Sequence, residues 1–245
     1  MKLINITIFK EAESNVNLVA LNMPRIRVVL FDLGGTLVRT ASTSEIFMRI
    51  LRKHDVHIPS ERICGSFPEV IDEMSLESFK LPYKEFWRIY NIKILKRLGI
   101  KENLKELADT LTSEWWENAD LEIYSDVEET LNRLSQRKLK IGIISNGFKI
   151  DIHEILSRTG LENRFDVLVG VDDVGKPKPH KEIFLYALKN LHTKPHESLF
   201  VGDNPHTDYF GAEAAGLNPL LIDRDNKIQG RYRRIRDLRE IINYL

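Results

Sequence analysis

The sequence predicts an α/β fold in which helices cover a parallel β-sheet and a helical segment follows the first strand. Three observations support this class. The apolar run 28–31 ends in Asp32 and a turn with two glycines, as expected for a buried parallel strand. Residues 40–118 have a helical pattern that includes two amphipathic stripes. From residue 121 onward, short apolar strands alternate with helices, which implies a parallel sheet with right-handed crossovers.

The helical segment contains two amphipathic stripes, which we interpret as the core of a helix bundle. Gly99 follows the first stripe, where a helix C-cap is expected. Trp115 and Trp116 are assigned to a hinge or to this core, with stacking on a substrate as the alternative, because adjacent residues of a helix point in different directions. The stripes are Phe86, Ile89, Tyr90, Ile94 and Leu98, and then Leu104, Leu107, Leu111 and Trp115.

The region after residue 121 is predicted to contribute most of the sheet. Ser125 and Glu128 offer a capping box for a helix that runs to about residue 138. Gly160 and Gly216 stand where two later helices are expected to end. The remaining predicted elements are strands at 139–144, 165–169, 199–201 and 220–222, and helices at 150–158, 183–191, 208–215 and 235–244.

Composition excludes several classes of protein. Of the 245 residues, 42% are hydrophobic, which is enough for a sizeable core. The 36 basic and 36 acidic residues balance, so no bulk charge favours nucleic acid or anionic lipid as a partner. The one cysteine, Cys64, excludes an internal disulfide framework and favours a reducing compartment, so a cytoplasmic location is expected. No apolar run approaches the roughly 20 residues of a membrane-spanning helix, so no membrane partner is expected.

The two ends of the chain carry weaker signals. Residues 1–24 are interpreted as an N-terminal extension of unclear role, because Met23 and Pro24 directly precede the first strong strand. No small-residue cleavage site follows the short apolar run near the N-terminus, so a signal peptide is not predicted. The arginine-rich run 231–236 is interpreted as a solvated helix face, with nucleic-acid binding as the alternative.

Four short motifs fall at strand ends or helix starts. They are the turn from Asp32 to Thr36, the pair Ser145 and Asn146, the lysine-proline stretch 175–179, and the segment 202–208. In open α/β sheets, ligands bind outside the carboxyl ends of the strands. Because the strand ends of one sheet converge, the four motifs are expected to share one site.

The residue types in these motifs are those that phosphoryl transfer requires. Asp32 can attack an electrophile and form a covalent intermediate. Asp203 and Asp208 supply hard oxygen ligands, which suit Mg²⁺ held by few carboxylates together with phosphate. Ser145 and a lysine can hold phosphate oxygens by hydrogen bonding and charge. Because phosphoryl transfer depends mainly on positioning and charge neutralisation, the sequence predicts this class of reaction.

This constellation resembles the haloacid dehalogenase (HAD) superfamily, most members of which are Mg²⁺-dependent phosphatases. The resemblance covers residues 26–222. It implies a three-layer Rossmann-like core at residues 25–40 and 120–245, with a mobile all-helical cap at residues 41–119. It also implies hydrolysis of a small, soluble phosphomonoester through an aspartyl-phosphate intermediate. Whether the protein is a monomer or a homodimer is left open.

The resemblance also implies roles for individual residues. Asp32 matches the catalytic nucleophile, and Thr36 supports its loop. Ser145 matches the phosphate ligand of the second motif, and its neighbour Asn146 is assigned to substrate binding with it. The implied metal ligands are Asp32, the backbone carbonyl of Gly34, Asp203 and Asp208.

The lysine of the family pattern could be either of two residues. That pattern runs Lys-Pro-x-x-x-Ile-Phe, and Lys178 fits it without a gap. Lys176 would need two extra residues before Ile183 and Phe184. The resemblance therefore assigns Lys178 as the phosphate-binding and charge-neutralising lysine of the catalytic set, with Lys176 as the alternative.

Gly34 is the main departure from the family pattern. A second aspartate usually stands two residues after the nucleophile, where its side chain protonates the leaving alcohol and later activates water. The carbonyl of Gly34 remains, so metal binding is still expected, but acid-base assistance worth about 10²–10⁴-fold is lost at this position. His206 and, less favourably, His180 are candidate replacements because imidazole titrates near neutrality.

Gly34 also keeps other functions open. Dehalogenases of the family lack the second aspartate as well. Phosphonate hydrolases of the family have a small residue there but need a Schiff-base lysine from the cap. Lys53, Lys80 and Lys84 lie in the predicted cap, with nothing to single one out. A low-activity regulatory or binding protein on the same fold is the third alternative, because fold alone does not prove function.

Overall fold

The computed structural model of the chain describes residues 25–59, 70–71 and 73–245. The predicted extension at residues 1–24 and Cys64 lie outside these residues. Of the strands described below, six form one parallel sheet, and the other two form a separate antiparallel ribbon. The strands are β1 (Val28–Phe31), β2 (Val38–Arg39), β3 (Glu122–Ile123), β4 (Lys140–Ile144), β5 (Val167–Val169), β6 (Ser198–Gly202), β7 (Asn218–Ile222) and β8 (Arg234–Ile235). The large sheet has the order β5-β4-β1-β6-β7-β8, and β2 pairs with β3.

The helices fall into two groups, one between β2 and β3 and one that alternates with the later strands. No helix in the described part of the chain has the length and apolar character needed to cross a membrane. The α-helices are α1 (Thr43–Lys53), α2 (Tyr83–Arg97), α3 (Leu104–Glu114), α4 (Val127–Gln136), α5 (Lys149–Thr159), α6 (Lys181–Leu191) and α7 (Gly211–Ala214). Short 3₁₀ helices lie at Leu76–Lys80, Val171–Asp173, Pro195–Glu197 and Leu238–Tyr244, and a π-helical turn lies at Pro205–Phe210.

The central sheet carries helices on both faces, which gives a three-layer core. Successive side chains of a strand point to opposite faces, and all four residues of β1 are buried. Val29 and Phe31 pack in one core with α4, α5 and the last 3₁₀ helix. Val28 and Leu30 pack in a second core with α6 and α7. The predicted α/β class with a parallel sheet is confirmed, and the carboxyl end of its central strand leads into Asp32.

A separate helical core forms the cap. Helices α1, α2 and α3 bury their apolar residues mainly against one another. Gly99 follows α2 with a φ of 84°, the left-handed conformation expected at a helix C-cap. The predicted helical cap is therefore present. The two predicted stripes contribute the buried side chains of Phe86, Tyr90, Ile94, Leu98, Leu107 and Leu111.

The β2–β3 ribbon joins the cap to the core. Val38 pairs with Ile123, and Arg39 pairs with Glu122 in the antiparallel register. The side chains of Arg39 and Glu122 also form an exposed ion pair. The chain therefore enters and leaves the helical segment at adjacent points. The sequence does not predict this ribbon, because two-residue strands are too short to show a period.

The predicted capping box at the start of α4 is wrong. The N-cap residue is Asp126 rather than Ser125, and it forms no side-chain cap. The Asp126 carboxylate instead accepts hydrogen bonds from Arg224 and from the backbone N–H of Leu238. A tertiary interaction has thus taken the place of the local cap.

The predicted final helix at 235–244 is too long. Ile235 belongs to edge strand β8, where it pairs with Ile222 of β7 and is buried. The helix begins only at Leu238 and has 3₁₀ geometry. The arginine-rich run 231–236 therefore crosses an edge strand rather than a helix face. Burial of Ile235 against the sheet outweighs the helical spacing of the sequence.

Candidate active site

Three carboxylates meet at the carboxyl end of the central sheet. Asp32 follows β1, Asp203 follows β6, and Asp208 lies in the π-helical turn that comes next. Oxygens of the three carboxylates lie within 4.8 Å of one another. Asp32 and Asp208 are buried, and Asp203 is half-buried. The structure thus brings the first and the fourth sequence motifs together, as the convergence of strand ends predicts.

Two glycines allow these carboxylates to approach one another. A Cβ on Gly35 would lie 2.2 Å from Oδ2 of Asp203, and a Cβ on Gly202 would lie 2.5 Å from the side chain of Asp208. Real Cβ atoms essentially never come closer than 3.0 Å to such neighbours. Gly35 also has a φ of 79°, which favours glycine. The carboxylate cluster therefore depends on the absence of side chains at both positions.

Lys178 is buried between two of the carboxylates. Its Nζ donates to Oδ1 of Asp32 and to Oδ1 of Asp208, each at 2.7 Å. Lys176, the alternative in the sequence, is partly exposed and forms an ion pair with Glu182. The structure brings Lys178, and not Lys176, to the predicted nucleophile.

Burial and mutual repulsion shift the pKa values in this cluster. Burial raises the pKa of Asp32 to about 6, against the opposing effect of the Lys178 charge. Burial and the charges of Asp32 and Asp208 together raise the pKa of Asp203 to about 7. Burial alone would lower the pKa of Lys178, but its ion pairs with Asp208 and Asp32 outweigh burial and raise that pKa above its usual value. One lysine does not fully compensate three carboxylates.

The second sequence motif lies beside Lys178. Asn146 holds the backbone of Lys178 in two places: its Oδ1 accepts from the N–H at 2.6 Å, and its Nδ2 donates to the carbonyl at 3.1 Å. Oγ of Ser145 accepts a hydrogen bond from the N–H of Gly147 at 3.0 Å. A hydroxyl that accepts in this way keeps its own hydrogen available for a ligand.

Thr36 supports the carboxylate of Asp32. Its Oγ1 donates to Oδ2 of Asp32 at 3.1 Å, and its carbonyl accepts from Arg224 at 2.8 Å. Arg224 in turn forms an ion pair with the buried carboxylate of Asp126 at 2.7 Å. Sequence reasoning missed Arg224 and Asp126, because the two residues lie 98 positions apart and no local pattern links them.

A cavity of about 280 Å³, here termed the cap–core cavity, lies between the helical cap and the end of the sheet. Its core side includes Gly34 and Ser145, so the cavity adjoins the carboxylate cluster. All three tryptophans of the chain, Trp87, Trp115 and Trp116, line its cap side. The cavity is therefore placed to receive the part of a substrate that extends from the candidate site.

Asp151 connects the cap to the core beside this cavity. It lies in the first turn of α5, and its Oδ1 accepts hydrogen bonds from the Tyr83 hydroxyl at 2.7 Å and from Nε1 of Trp116 at 3.1 Å. Burial raises the pKa of Asp151, although these hydrogen bonds oppose the shift. Sequence reasoning missed this residue, because an aspartate in the first turn of a helix is common on helix-dipole grounds alone.

Gly34 faces open space. A Cβ at this position would meet no other atom within 4 Å, so neither backbone nor packing requires a glycine there. The two histidines considered as replacement acids, His206 and His180, are both exposed. Neither of them lines the cap–core cavity. The structure thus does not bring a histidine to the place where the missing aspartate side chain would be.

The donor set of the cluster fits a hard divalent cation. Asp32, Asp203 and Asp208 offer carboxylate oxygens at close range, and oxygen ligands of this kind hold Mg²⁺ and Ca²⁺ in proteins. Burial, together with repulsion between the carboxylates, raises the pKa values of Asp32 and Asp203, and a bound cation would oppose both shifts. A carboxylate that can act as a nucleophile, a buried lysine and a serine hydroxyl lie at the same strand ends, and such an arrangement can support phosphoryl transfer.

The chain is similar to named phosphatases. It is 29% identical to a glyceraldehyde 3-phosphate phosphatase of Pyrococcus furiosus in an alignment of 205 residues that covers 81% of this chain and 81% of that protein. It is 30% identical to the pyrophosphatase PpaX of Bacillus cereus in an alignment of 210 residues that covers 81% of this chain and 83% of that protein.

Solved structures share the fold. The HAD-hydrolase YfnB of Bacillus subtilis, solved with magnesium, matches with a TM-score of 0.73 at 21% identity, over 90% of this chain and 98% of that one. A 2-haloacid dehalogenase of Pseudomonas syringae matches with a TM-score of 0.68 at 25% identity, over 89% of this chain and 97% of that one. The sequence model of the haloacid dehalogenase-like hydrolases matches residues 29–222. The chain therefore belongs to the haloacid dehalogenase-like hydrolase family.

Proposed function

We propose that the protein is a Mg²⁺-dependent phosphatase that hydrolyses a small phosphomonoester through an aspartyl-phosphate intermediate. The observation that carries this proposal is the position of Lys178, whose Nζ lies 2.7 Å from both Asp32 and Asp208. An ammonium group between a nucleophilic carboxylate and a metal-binding carboxylate can neutralise the charge of phosphoryl oxygens bound there. The names of the Pyrococcus furiosus and Bacillus cereus relatives, both phosphatases, support the same reaction class.

In the first step, the Asp32 carboxylate attacks phosphorus in line with the leaving oxygen. Hydrogen bonds from Lys178 to Oδ1 and from Thr36 to Oδ2 hold this carboxylate in place before the substrate arrives. Ser145 donates to a phosphoryl oxygen, and Lys178 offsets the charge on the phosphoryl group. The bond between Asp32 and phosphorus forms as the bond to the leaving oxygen breaks.

In the second step, water attacks the aspartyl phosphate, releases inorganic phosphate and restores the Asp32 carboxylate. With glycine at position 34, no side chain there protonates the leaving oxygen or activates this water. The cap, which we assign to residues 41–119, closes over the site. The hydrogen bonds of Asp151 with Tyr83 and Trp116 hold that closed arrangement and exclude bulk water.

The three carboxylates, together with the backbone carbonyl of Gly34, would hold Mg²⁺. When bound, the ion neutralises charge on the phosphoryl oxygens. Asp203 and Asp208 take no part in the nucleophilic attack, and we assign their carboxylates to metal binding. Asn146 acts on this site through its two hydrogen bonds to the backbone of Lys178, and we assign it to positioning that lysine.

The phosphatase assignment is favoured over the two hydrolase alternatives. A phosphonate hydrolase of this family would need a cap lysine at the substrate, but none of Lys53, Lys80 and Lys84 lines the cap–core cavity. Lys80 forms an exposed ion pair with Glu77. A dehalogenase would not need the acidic pair Asp203 and Asp208. The clustering of this pair around Asp32 and Lys178 therefore favours metal-dependent hydrolysis of a phosphate ester.

Composition supports the remaining features of the proposal. A single cysteine in 245 residues favours a reducing compartment, so we place the protein in the cytoplasm. Equal numbers of acidic and basic residues give no electrostatic reason to invoke a nucleic-acid partner. A small phosphorylated molecule is the proposed partner.

Hydrolysis of p-nitrophenyl phosphate tests the proposal. We expect phosphate release that requires Mg²⁺, is abolished by chelation with EDTA and returns when Mg²⁺ is added in excess. Asp32→Asn should lose this activity, because an amide cannot replace the attacking carboxylate. No Mg²⁺-dependent release, or release that is unchanged in Asp32→Asn, would show that the protein is not this kind of enzyme.

A further inference from the structure

We propose that the leaving group of the natural substrate is an uncharged aromatic ring, so that the protein acts on aryl phosphate monoesters. This inference rests on the proposed phosphatase function and narrows its substrate class. Two independent features carry it. One is the wall of the cap–core cavity, and the other is the chemistry that position 34 leaves to the substrate.

The wall of the cap–core cavity offers surfaces on which a ring can stack. Its volume of about 280 Å³ exceeds the roughly 150 Å³ of an engineered apolar cavity that binds benzene. Five aromatic side chains of the cap contribute to this wall. Trp and Tyr rings bind other rings in edge-to-face or offset geometry, worth roughly 2- to 12-fold in affinity per pair. The five side chains are Tyr83, Trp87, Tyr90, Trp115 and Trp116.

The same wall lacks the groups that a charged leaving group would need. Carboxylates and phosphates are usually recognised by arginine, lysine or converging N–H donors. Of the described residues that line the cavity, none is lysine, arginine or histidine, and the single charged side chain is that of Asp151. A carboxylate or a second phosphate placed there would lose hydration next to an acidic group, with no cation to compensate. An uncharged leaving group is therefore favoured.

The Asn91 amide nitrogen and the hydroxyls of Thr112 and Tyr83 are engaged with protein partners rather than left for sugar hydroxyls. Nε1 of Trp87 and Oδ2 of Asp151 are buried without a hydrogen bond to any described residue. Nδ2 of Asn91 donates to Oγ1 of Thr112 and to the carbonyl of Ala108, each at 3.1 Å. Oγ1 of Thr112 donates to the same carbonyl at 2.9 Å. The Tyr83 hydroxyl is directed to Asp151. What these residues present to the cavity is thus mainly apolar surface and ring faces.

Position 34 supports the same substrate class on chemical grounds. Gly34 offers no acid, so the leaving oxygen must depart without a proton from this residue. A phenol has a pKa close to that of tyrosine, about 10, whereas water has a pKa of about 15.7 and simple alcohols resemble it. An aryl oxygen can therefore leave as the anion much more readily than an alkyl oxygen. A chain without the acid is suited to a leaving group that does not need one.

The transfer step balances without a general acid. The Asp32 oxygen forms its bond to phosphorus as the bond from phosphorus to the aryl oxygen breaks. The electron pair of the broken bond stays on that oxygen, which departs as a phenolate and takes its proton from solvent. Water then attacks phosphorus in the aspartyl phosphate. Inorganic phosphate leaves, the water proton is taken up by solvent or by the phosphate, and Asp32 is regenerated.

A panel of four substrates tests the inference: phenyl phosphate, benzyl phosphate, ethyl phosphate and phosphoglycolate, each with saturating Mg²⁺. We expect kcat/KM for phenyl phosphate to exceed that for ethyl phosphate and phosphoglycolate by at least about tenfold. Benzyl phosphate should share the KM of phenyl phosphate but have a lower kcat, because its ring binds and its alkyl oxygen leaves poorly. Equal or better hydrolysis of phosphoglycolate or ethyl phosphate would overturn the inference and leave the phosphatase function standing. If none of the four substrates were hydrolysed, that result would instead contradict the phosphatase function.

Two variants of the wall separate ring recognition from leaving-group chemistry. Trp87→Leu should raise KM for phenyl and benzyl phosphate by roughly 3- to 10-fold and leave KM for ethyl phosphate unchanged. Thr43→Arg places a cation at a half-buried lining position and should shift the preference toward phosphoglycolate. Ser113→Arg, on the exposed surface of α3, is its matched control and should leave the preference unchanged. An equal rise of KM for all substrates in Trp87→Leu, with an unchanged unfolding temperature, would contradict a ring-binding role.

Binding can also be measured without turnover, because every tryptophan of the chain lines the cavity. Phenylphosphonate has no ester bond to break and should change the intrinsic fluorescence saturably. Methylphosphonate offers the same phosphonate group without the ring and should bind at least about tenfold more weakly. Equal affinities for the two phosphonates would overturn the inference even if the enzyme proves active on aryl phosphates, since good leaving groups alone would then explain that activity.

Discussion

The carboxylate of Asp203 occupies the space that a side chain at Gly35 would need: a Cβ on Gly35 would lie 2.2 Å from Oδ2 of Asp203. A Cβ on the neighbouring Gly34 would meet no atom within 4 Å. Two adjacent glycines of one turn therefore have opposite tolerance for a side chain. One makes room for a carboxylate that we propose binds metal, and the other leaves open the place where the family pattern has an aspartate side chain.

Gly35→Ala should disrupt the carboxylate cluster, whereas Gly34→Ala should not. An alanine at position 35 displaces Asp203 and also strains a backbone with positive φ, at a cost of more than about 1 kcal/mol. We expect Gly35→Ala to lose most of the increase in unfolding temperature that Mg²⁺ gives the wild type. Gly34→Ala is the matched control and should keep that increase. Equal effects of the two substitutions would contradict the packing argument.

Lys178→Met should abolish turnover, and Lys176→Ala should have little effect. Removing the buried ammonium leaves Asp32 and Asp208 without their shared partner, which typically costs roughly 3–5 kcal/mol. We therefore expect a lower free energy of unfolding in metal-free Lys178→Met, measured by denaturant titration, in addition to the loss of kcat. If Lys176→Ala lost turnover and Lys178→Met kept it, the assignment of the site lysine would be reversed.

Stabilisation by Mg²⁺ should increase with pH. Asp32 and Asp203 have pKa values of about 6 and about 7 in the folded chain, above the usual aspartate value of about 3.9. Without metal, the stability that these raised pKa values contribute is fully present below about pH 4 and is lost as pH rises through about 6 and 7. If Mg²⁺ binds the deprotonated carboxylates as proposed, it should restore stability over that same range.

The measurement is the unfolding temperature with and without saturating Mg²⁺ from about pH 5 to about pH 8. The difference should be small at the acidic end and should grow toward neutral pH. Asp203→Asn removes the acid with the higher pKa, so any metal response that remains should rise at lower pH. A Mg²⁺ response that does not depend on pH would contradict the assignment of Asp32 and Asp203 as ligands.

Gly34→Asp should restore acid-base assistance. The open space around Gly34 admits the new side chain. Turnover of substrates with alkyl leaving groups should rise, by at most roughly 10²–10⁴-fold, whereas turnover of aryl phosphates should change much less. Steady-state kinetics with ethyl and phenyl phosphate measure the difference. A gain of the same size for both substrates would show that the missing acid does not limit departure of the leaving group.

Much of this architecture is predictable from local patterns. The apolar run 28–31 identifies the central strand because it is buried on both faces, and the stripe through Phe86 and Leu98 identifies a helix because its period is helical. The resemblance to the family pattern, through the spacing to Ile183 and Phe184, implies Lys178, which the structure brings to Asp32. In each case one segment carries the whole signal.

Features that join distant segments are not predictable in this way. The ion pair of Arg224 with Asp126 replaces a local helix cap, and nothing near either residue indicates the other. Ile235 fits a helical spacing but lies buried in an edge strand, paired with Ile222. The contact of Asp151 with Trp116 depends on the packing of the cap against the core. These features depend on tertiary packing, which cannot be inferred from a short segment of sequence.

The pairing of Val38 with Ile123 has a consequence for how specificity can change in this protein. The chain enters and leaves the cap at two adjacent positions in the β2–β3 ribbon. A segment of any length inserted there has its two ends close together, so it disturbs no strand of the large sheet. The helical segment is thus an insertion that is joined to the core through the two-stranded β2–β3 ribbon. Exchanging it for the corresponding segment of a relative should alter which leaving group is accepted, while the phosphoryl chemistry that we propose for Asp32 should remain.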